Sequence, residues 1–386
     1  MVSDIVDFKS PSKLRIATTV FFFMSGFGYS SWASRIPSIQ QQLHLNEAQL
    51  GAVLFASPIG LMLTMPVTSW LLGRINSRKI LFFGAVSFNL ILSLPGFATK
   101  TWHLAAALFC FGSTRNLMNL SVNSQAVGVQ KLYGTSIMTT FHGVWSLAGF
   151  AGAALGYFMV TYNVAPGFHL FAVSIILLIL AFYFYSDTLD QEPVKHQNKK
   201  PAFSLPDKHL MKFAIICFGC MSCENTMYDW SVIYFQKTVH ASKPGATAAF
   251  VIYMVCMTIG RLTGDKLVTR LGIKTLLRYS GWLIFAGLLL AVLLPYPVTA
   301  AAGFAMVGFG VSCIVPLVFS MAGKSKTMSS GQALASISTI GYMGFLMVPP
   351  LVGFIGHAAN LRWSFAIIAL LGGVIILMVS AIKEEE

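Results

Sequence analysis

Twelve apolar stretches of 20–28 residues, parted six and six by one polar, lysine-bearing break at 187–208, constrain this chain more than any other feature. A helix rising 1.5 Å per residue needs about 20 apolar residues to cross a bilayer core of about 30 Å. Lipid offers no hydrogen-bond partners, so each stretch must satisfy its own backbone as a helix. The spans are expected near 14–37, 48–72, 79–98, 102–128, 137–162, 165–186, 209–236, 244–263, 274–295, 298–322, 331–357 and 361–382. The expected fold is an all-α integral membrane protein, its twelve transmembrane helices set in two pseudo-symmetric halves, 1–186 and 209–386. Residues 187–208 mix both charges with prolines and have no hydrophobic face, which makes them a cytoplasmic tether. Six spans, a tether and six more spans is the layout of a carrier whose halves rock about a central site.

Hydrophobic residues make up 56% of the chain and charged residues 10%, against about 25% charged in a soluble domain. The net charge of +13 does not point to nucleic acid, because the basic residues are spread over short loops and span ends. With the N-terminus cytoplasmic, 20 Lys and Arg fall on the inner side and only Arg35, Lys100, Lys237, Lys243 and Arg362 on the outer. Both termini are therefore expected inside. All six cysteines lie in spans and give no secreted disulfide framework. The first span is too long for a cleavable signal. No nucleotide loop, serine-nucleophile elbow or metalloprotease helix is present, so no enzyme, cofactor or ATP-driven pump is expected.

Two loops repeat one another. "SWLLGRINSRKIL" (69–81) joins the second and third spans, and "GRLTGDKLVTRLGIKTLL" (260–277) occupies the same place in the second half. Both set glycines beside basic residues where two helices turn. Gly260, Arg261, Gly264, Asp265, Lys266, Arg270 and Gly272 resemble the signature that major facilitator superfamily transporters carry between their second and third helices. The first copy departs from it: Gly73 stands where the acidic residue is expected, though Arg74 and Arg78 remain. "WASRIPSI" (32–39), "LGAVL" (50–54), "NSQAV" (123–127), "FHGVWSLAG" (141–149), "YDWSVIY" (228–234) and "GYMGFLMVPP" (341–350) resemble a bacterial subgroup related to the fucose permease. That resemblance implies an inner-membrane secondary carrier. It also implies protonatable carboxylates on the first and fourth helices, where this chain has none.

Ionisable groups in mid-bilayer cost about 2.5–3.5 kcal/mol each on insertion scales, so they mark function by default. Only Glu224 and Asp229 among the acids, and Arg115 among the bases, fall well inside an expected span. Arg115 and Glu224 lie at similar depth and are expected to face one another. Arg115, Asn119 and Asn123, four residues apart, form a polar stripe suited to hydroxyl-rich or anionic cargo; the competing reading is a pair that only ties the halves together. Glu224 and Asp229 are about 140° apart around a helix and should face different ways. Glu224, the deeper, is the first choice for proton coupling; Asp229 and His142 are further candidates, with Asp229 otherwise a gate or helix-packing contact and His142 otherwise hydrogen-bonded packing. Trp32, Trp230 and Tyr342 offer flat faces to a sugar ring, or anchor packing; Ser30 and Ser34 offer hydroxyls, or let helices approach. Gly149, Gly152 and Gly156 read as packing. Cys217, Cys220 and Cys223 have no fourth ligand close by, so no metal is expected. Pro349 and Pro350 are expected to kink the eleventh span. Arg74, Arg78, Gly264, Asp265 and Arg270 are expected to form a cytoplasmic latch, with Asp265 paired to Arg270.

The expected protein is a monomeric, proton-coupled symporter for a small polar solute, a sugar or sugar derivative, possibly anionic. A drug or metabolite exporter is the rival, weakened because 149–156 lacks the proline of the antiporter signature. A non-transporting sensor on the same fold is the other.

Overall fold

The computed structural model describes residues 10–133, 137–190, 206–207, 210–323 and 330–382, and among these the regular structure is all helix. In chain order the helices are α1 (Pro11–Ala33), α2 (Ile36–Gln42), α3 (Glu47–Leu54), α4 (Ala56–Leu72), α5 (Ser77–Ser93), α6 (Thr101–Gln130), α7 (Met138–Thr161) and α8 (Pro166–Tyr185). They continue as α9 (Leu210–Lys237), α10 (Lys243–Leu271), α11 (Ile273–Leu293), α12 (Pro297–Ser312), α13 (Ile314–Ala322), α14 (Ser330–Ala358) and α15 (Leu361–Ser380). Most of the tether expected at 187–208 lies outside the described residues.

Helix starts are locally encoded. Asn46 and Gln49 form a reciprocal capping box at α3, Ser242 Oγ accepts from Gly245 N at α10, and Asn360 Oδ1 accepts from Arg362 N at α15. Each satisfies backbone donors that a helix end leaves free. Among the described residues, nine segments are long and apolar enough to cross a membrane: 47–72, 77–97, 138–161, 166–185, 243–271, 273–293, 297–322, 332–358 and 361–380. Helices α1, α6 and α9 have the length but not the apolarity. They are the helices that carry Ser25 and Ser30, Arg115 and Asn119, and Glu224 and Asp229.

Helix α1 packs along α7, α6 lies between α4 and α5, and α8 covers α5. Similarly α9 packs on α14 and α15, and α12 lies between α10 and α11. Two seams join these sets, α7 against α10 and α3 against α14. The glycines expected to serve packing do so: a Cβ on Gly152 would lie 2.5 Å from the Phe27 carbonyl oxygen, and one on Gly156 2.1 Å from Ser34 Oγ.

Two expectations are corrected. The stretch 260–277 is not a loop. Helix α10 runs on to Leu271 and turns only at Gly272, whose φ of 76° is a conformation that glycine adopts without strain. Gly264, Asp265 and Arg270 therefore sit on a helix, and no ion pair joins Asp265 to Arg270 among the described residues. Five residues apart on a helix, the two point about 140° away from each other. Helix α14 carries Pro349 and Pro350 inside its bounds.

The α4–α6 seam allows no side chain at Gly112, where a Cβ would meet the Ser57 carbonyl oxygen at 1.9 Å. Gly112→Val should therefore abolish the monodisperse peak in detergent size-exclusion chromatography. Gly143→Ala, whose Cβ would meet only Leu262 Cδ2 at 3.4 Å, should leave it unchanged.

Candidate functional site

The polar faces of α1, α6 and α9 meet in the interior, with α7, α10 and α14 closing the sides. At its centre the Arg115 guanidinium carbon lies over the Tyr29 ring, 3.6 Å from the centroid. Tyr29 also meets Tyr228 of α9 at 5.0 Å and Phe111 at 6.5 Å, while Trp32 meets Phe111 at 6.2 Å. Tyr228 continues to Phe250 and Tyr253 of α10. The result is an aromatic wall passing from one helix set to the other. Beside it, Ser25 Oγ donates to Asn119 Oδ1 at 2.7 Å, and Trp145 Nε1 donates to Ser25 Oγ at 3.4 Å.

The expected partnership of Arg115 with Glu224 is not formed. Glu224 accepts instead from Arg261 Nη2 of α10 at 3.1 Å. The sequence places Arg261 at a span end, but the unbroken α10 carries it into the bundle. Its Nη1 donates to Ser146 Oγ of α7 at 3.0 Å, its Nε to the Ser312 carbonyl at 3.4 Å, and its guanidinium stands 5.5 Å from the Trp145 ring. Thr258, one turn earlier, donates to the Ser146 carbonyl at 3.2 Å. One cation thus ties a buried carboxylate in its own helix set to a hydroxyl in the other.

Asp229 is placed differently. It is 9% exposed and accepts from Asn225 Nδ2 at 3.1 Å, and no cation among the described residues comes within ion-pair distance. Arg115 is near enough for its charge to act on Asp229 and on Tyr342. Arg115 Nε, Ser30 Oγ, Tyr228 Oη and Trp230 Nε1 are buried and make no hydrogen bond. Ser30 Oγ and Tyr228 Oη lie near one another, since a Cβ on Gly149 would sit 3.2 Å from the first and 3.8 Å from the second.

Other expected site residues are occupied locally. Ser34 Oγ donates to the Ser31 carbonyl and lies in the α1–α7 seam. Asn123 Nδ2 donates to the Asn119 carbonyl, one turn back on its own helix. Asn116, beside the stripe, donates to Thr68 Oγ1 at 3.0 Å and so faces α4. His142 sits edge-on to Phe22, with ring centroids 5.3 Å apart. Tyr342 lies beside Phe345 on α14. Of the expected latch, Arg74 stacks over Trp70, and Arg78 donates to the Ser186 carbonyl and pairs with Asp190 at 3.5 Å. Gly264 packs against Cys313, where a Cβ would lie 2.7 Å from Sγ. The cysteines of α9 diverge, Cys220 Sγ toward the Val311 carbonyl and Cys223 Sγ toward that of Ile368. Among the described residues no cluster of His, Cys, Asp and Glu could hold a metal ion.

Comparison with known proteins decides the family. The model of the Major Facilitator Superfamily matches residues 18–330 and again 215–386. The chain belongs to that superfamily. An uncharacterized MFS-type transporter of Yersinia pestis is 31% identical over 357 residues, 92% of each chain. Membrane protein MosC of Rhizobium meliloti is 28% identical over 368 residues, 94% of this chain and 89% of that one. In fold, a point mutant of the nucleoside transporter NupG superposes with a TM-score of 0.77 at 14% identity, covering 95% of this chain and 99% of that one. A bacterial homolog of the human lysosomal transporter Spinster, inward-facing and occupied, gives 0.74 at 11% identity over 97% of each. This transporter is thus a multi-pass membrane protein with a small-molecule substrate. Among the described residues, the charges of its central cluster are Arg115, Arg261, Glu224 and Asp229, of which Arg261 and Glu224 form an ion pair.

That pair has a measurable signature. Arg261→Ala, which strands Glu224, should cost about 3–5 kcal/mol of stability. Arg261→Met combined with Glu224→Leu should recover most of that loss. Denaturant unfolding of the single and double variants in micelles checks it; losses that simply add would show that the two side chains do not act as a pair.

Proposed function

We propose that the protein is a secondary active symporter that moves a small polar solute, a sugar or sugar derivative, across the bacterial inner membrane by alternating access. The moving parts are residues 1–186 and 209–386, six spans each, with 187–208 as their cytoplasmic tether and both termini inside. α1, α6 and α9 act as spans whose polar faces are turned away from lipid. A single protomer suffices, and kinship with the fucose-permease branch belongs to this reading.

The observation that carries it is the buried cluster between the helix sets, with its idle donors on Ser30, Arg115 and Tyr228 beside the aromatic wall of Tyr29, Trp32, Phe111 and Tyr228. A pyranose presents that combination, apolar axial hydrogens on its faces and hydroxyls around its edge. Buried polar groups without partners are rare, and a ligand is one way of satisfying them. Arg115 gives an anionic substituent a place to bind.

In this reading the proton is carried by Asp229 rather than Glu224. Glu224 is committed to Arg261 at 3.1 Å, whereas Asp229 has only a neutral amide donor and a buried setting. A carboxyl so placed gains and loses a proton more readily than one locked in an ion pair.

Proteoliposomes loaded with a pH dye and offered sugars, amino sugars, sugar acids and nucleosides test both parts. One class of solute should trigger proton entry in wild type. Asp229→Asn should lose solute-driven proton entry while keeping solute exchange; proton entry that persists in this variant removes Asp229 from coupling. Arg115→Ala should slow transport of the same solute more than about tenfold, the scale on which a lost charged contact is felt, against no change for Lys79→Gln. Silence across the whole panel, with folded protein, would refute the sugar reading.

A further inference from the structure

Away from the central cluster, a second group of idle polar atoms lies where α1 and α7 end and α8 begins. Arg35 occupies the short joint between α1 and α2 and is only 2% exposed. Its Nη2 donates to the carbonyl of Val164 in the α7–α8 turn, but Nε and Nη1 find no partner. His169, in the first turn of α8, is also 2% exposed, and neither ring nitrogen is hydrogen-bonded. The guanidinium is near enough for its charge to act on that ring. The start of α8 adds its own donors: it opens on Pro166, and Ala165 at the N-cap offers no side-chain acceptor. First-turn N–H groups and the positive end of the helix dipole are therefore left uncapped beside His169.

Nothing in the neighbourhood is free to neutralise Arg35. Ser34 Oγ is spent on the Ser31 carbonyl, and Gln40 Nε2 on the Leu45 carbonyl. Glu47, the acid closest in sequence, is paired with Lys237. No carboxylate among the described residues forms an ion pair with Arg35. The carbonyl ends of α1 and α7 soften the charge without giving Nε and Nη1 an acceptor. A buried charge without a partner is strongly unfavourable. A water molecule would satisfy the donors but leave the charge; an anion does both.

The size of the anion follows from burial. Nη2 gives one of its two N–H groups to Val164 and keeps the other, between the idle Nε and Nη1. Arg35 and His169 are each only 2% exposed, which excludes a bulky polyatomic group. A spherical ion needs only single donors converging from several directions, and the burial of both side chains leaves no route for a lipid headgroup.

We propose that Arg35, His169 and the first turn of α8 form a site for one small inorganic anion of chloride size, separate from the substrate cluster. Its role is to neutralise Arg35 and so to brace the joint of α1 with α2 against the α7–α8 turn. The site does not depend on which solute the transporter carries.

The test uses full-length protein in detergent micelles, with chloride or bromide exchanged for gluconate at constant ionic strength and substrate absent. The thermal midpoint of wild type should rise saturably with chloride or bromide. Arg35→Gln and His169→Phe should each abolish that response, whatever they do to the midpoint in gluconate, and bromide should appear between these residues by anomalous diffraction. If Arg35→Gln does not fold, His169→Phe and the bromide position decide. A midpoint indifferent to the anion, a response unchanged in His169→Phe, or bromide bound only elsewhere would each overturn the proposal.

Discussion

A buried arginine is costly without a counter-charge, and Arg261 finds one in Glu224 at 3.1 Å. Much of the interior is arranged around that requirement. Because Glu224 is taken, Arg115 is left to stack on Tyr29, and Asp229 is left with an amide. Because Arg261 also reaches Ser146, the charge-neutral unit in α9 and α10 extends to α7. The same guanidinium therefore balances charge within one set of helices and contacts the other. An ion pair in the protein interior is weak evidence for stability by itself; here its placement matters more, since it fixes which of two carboxylates remains uncommitted.

The nine segments long and apolar enough to cross a membrane are readable because length and apolarity are the properties a bilayer selects for, and most helix limits fall within a few residues of those expected. The exceptions have physical causes. Residues 264–271 look like a loop because glycine, charge and β-branched residues cluster there. Nothing in the stretch forbids a helix until Gly272, however, and the helix continues. That continuation hides Arg261. A helical register running Met254, Thr258, Arg261 reveals it, since these positions share one face and Met254 already faces α7. The partner of Glu224 is beyond the reach of sequence for a different reason: similar depth for Arg115 and Glu224 says nothing of azimuth, and azimuth chooses Arg261. The polar stripe on α6 is visible as a stripe. Asn116 and Asn123 are nonetheless satisfied within the helix set, because amides at adjacent turns have backbone and threonine partners within reach.

Glycine and charge divide the labour at the seams. Where α3 meets α14, a Cβ on Gly51 would lie 2.5 Å from the Pro349 carbonyl oxygen and one on Gly353 2.6 Å from that of Glu47, so the backbones touch. Glu47 also binds Lys237, and Gln41 binds Gln236 at 3.0 Å. Close backbone contact of this kind depends on small residues rather than on hydrophobicity, as expected between helices in lipid. The α7–α10 seam instead combines a glycine against Met254 with the polar contacts of Ser146.

The polarity of α1, α6 and α9 bears on how the chain enters the membrane during synthesis. A lone helix bearing Glu224 and Asp229 is a poor candidate for release into lipid, because each carboxylate carries an insertion penalty of its own. Arg261 lies on α10, the next helix to emerge, separated from α9 by the short turn of 238–242. The two helices are therefore best inserted as an antiparallel hairpin, with the charge of one helix cancelled by the other before either meets lipid. Arg115 has no acidic neighbour on α7, and the cover for its guanidinium is the Tyr29 ring of α1, a helix made before it.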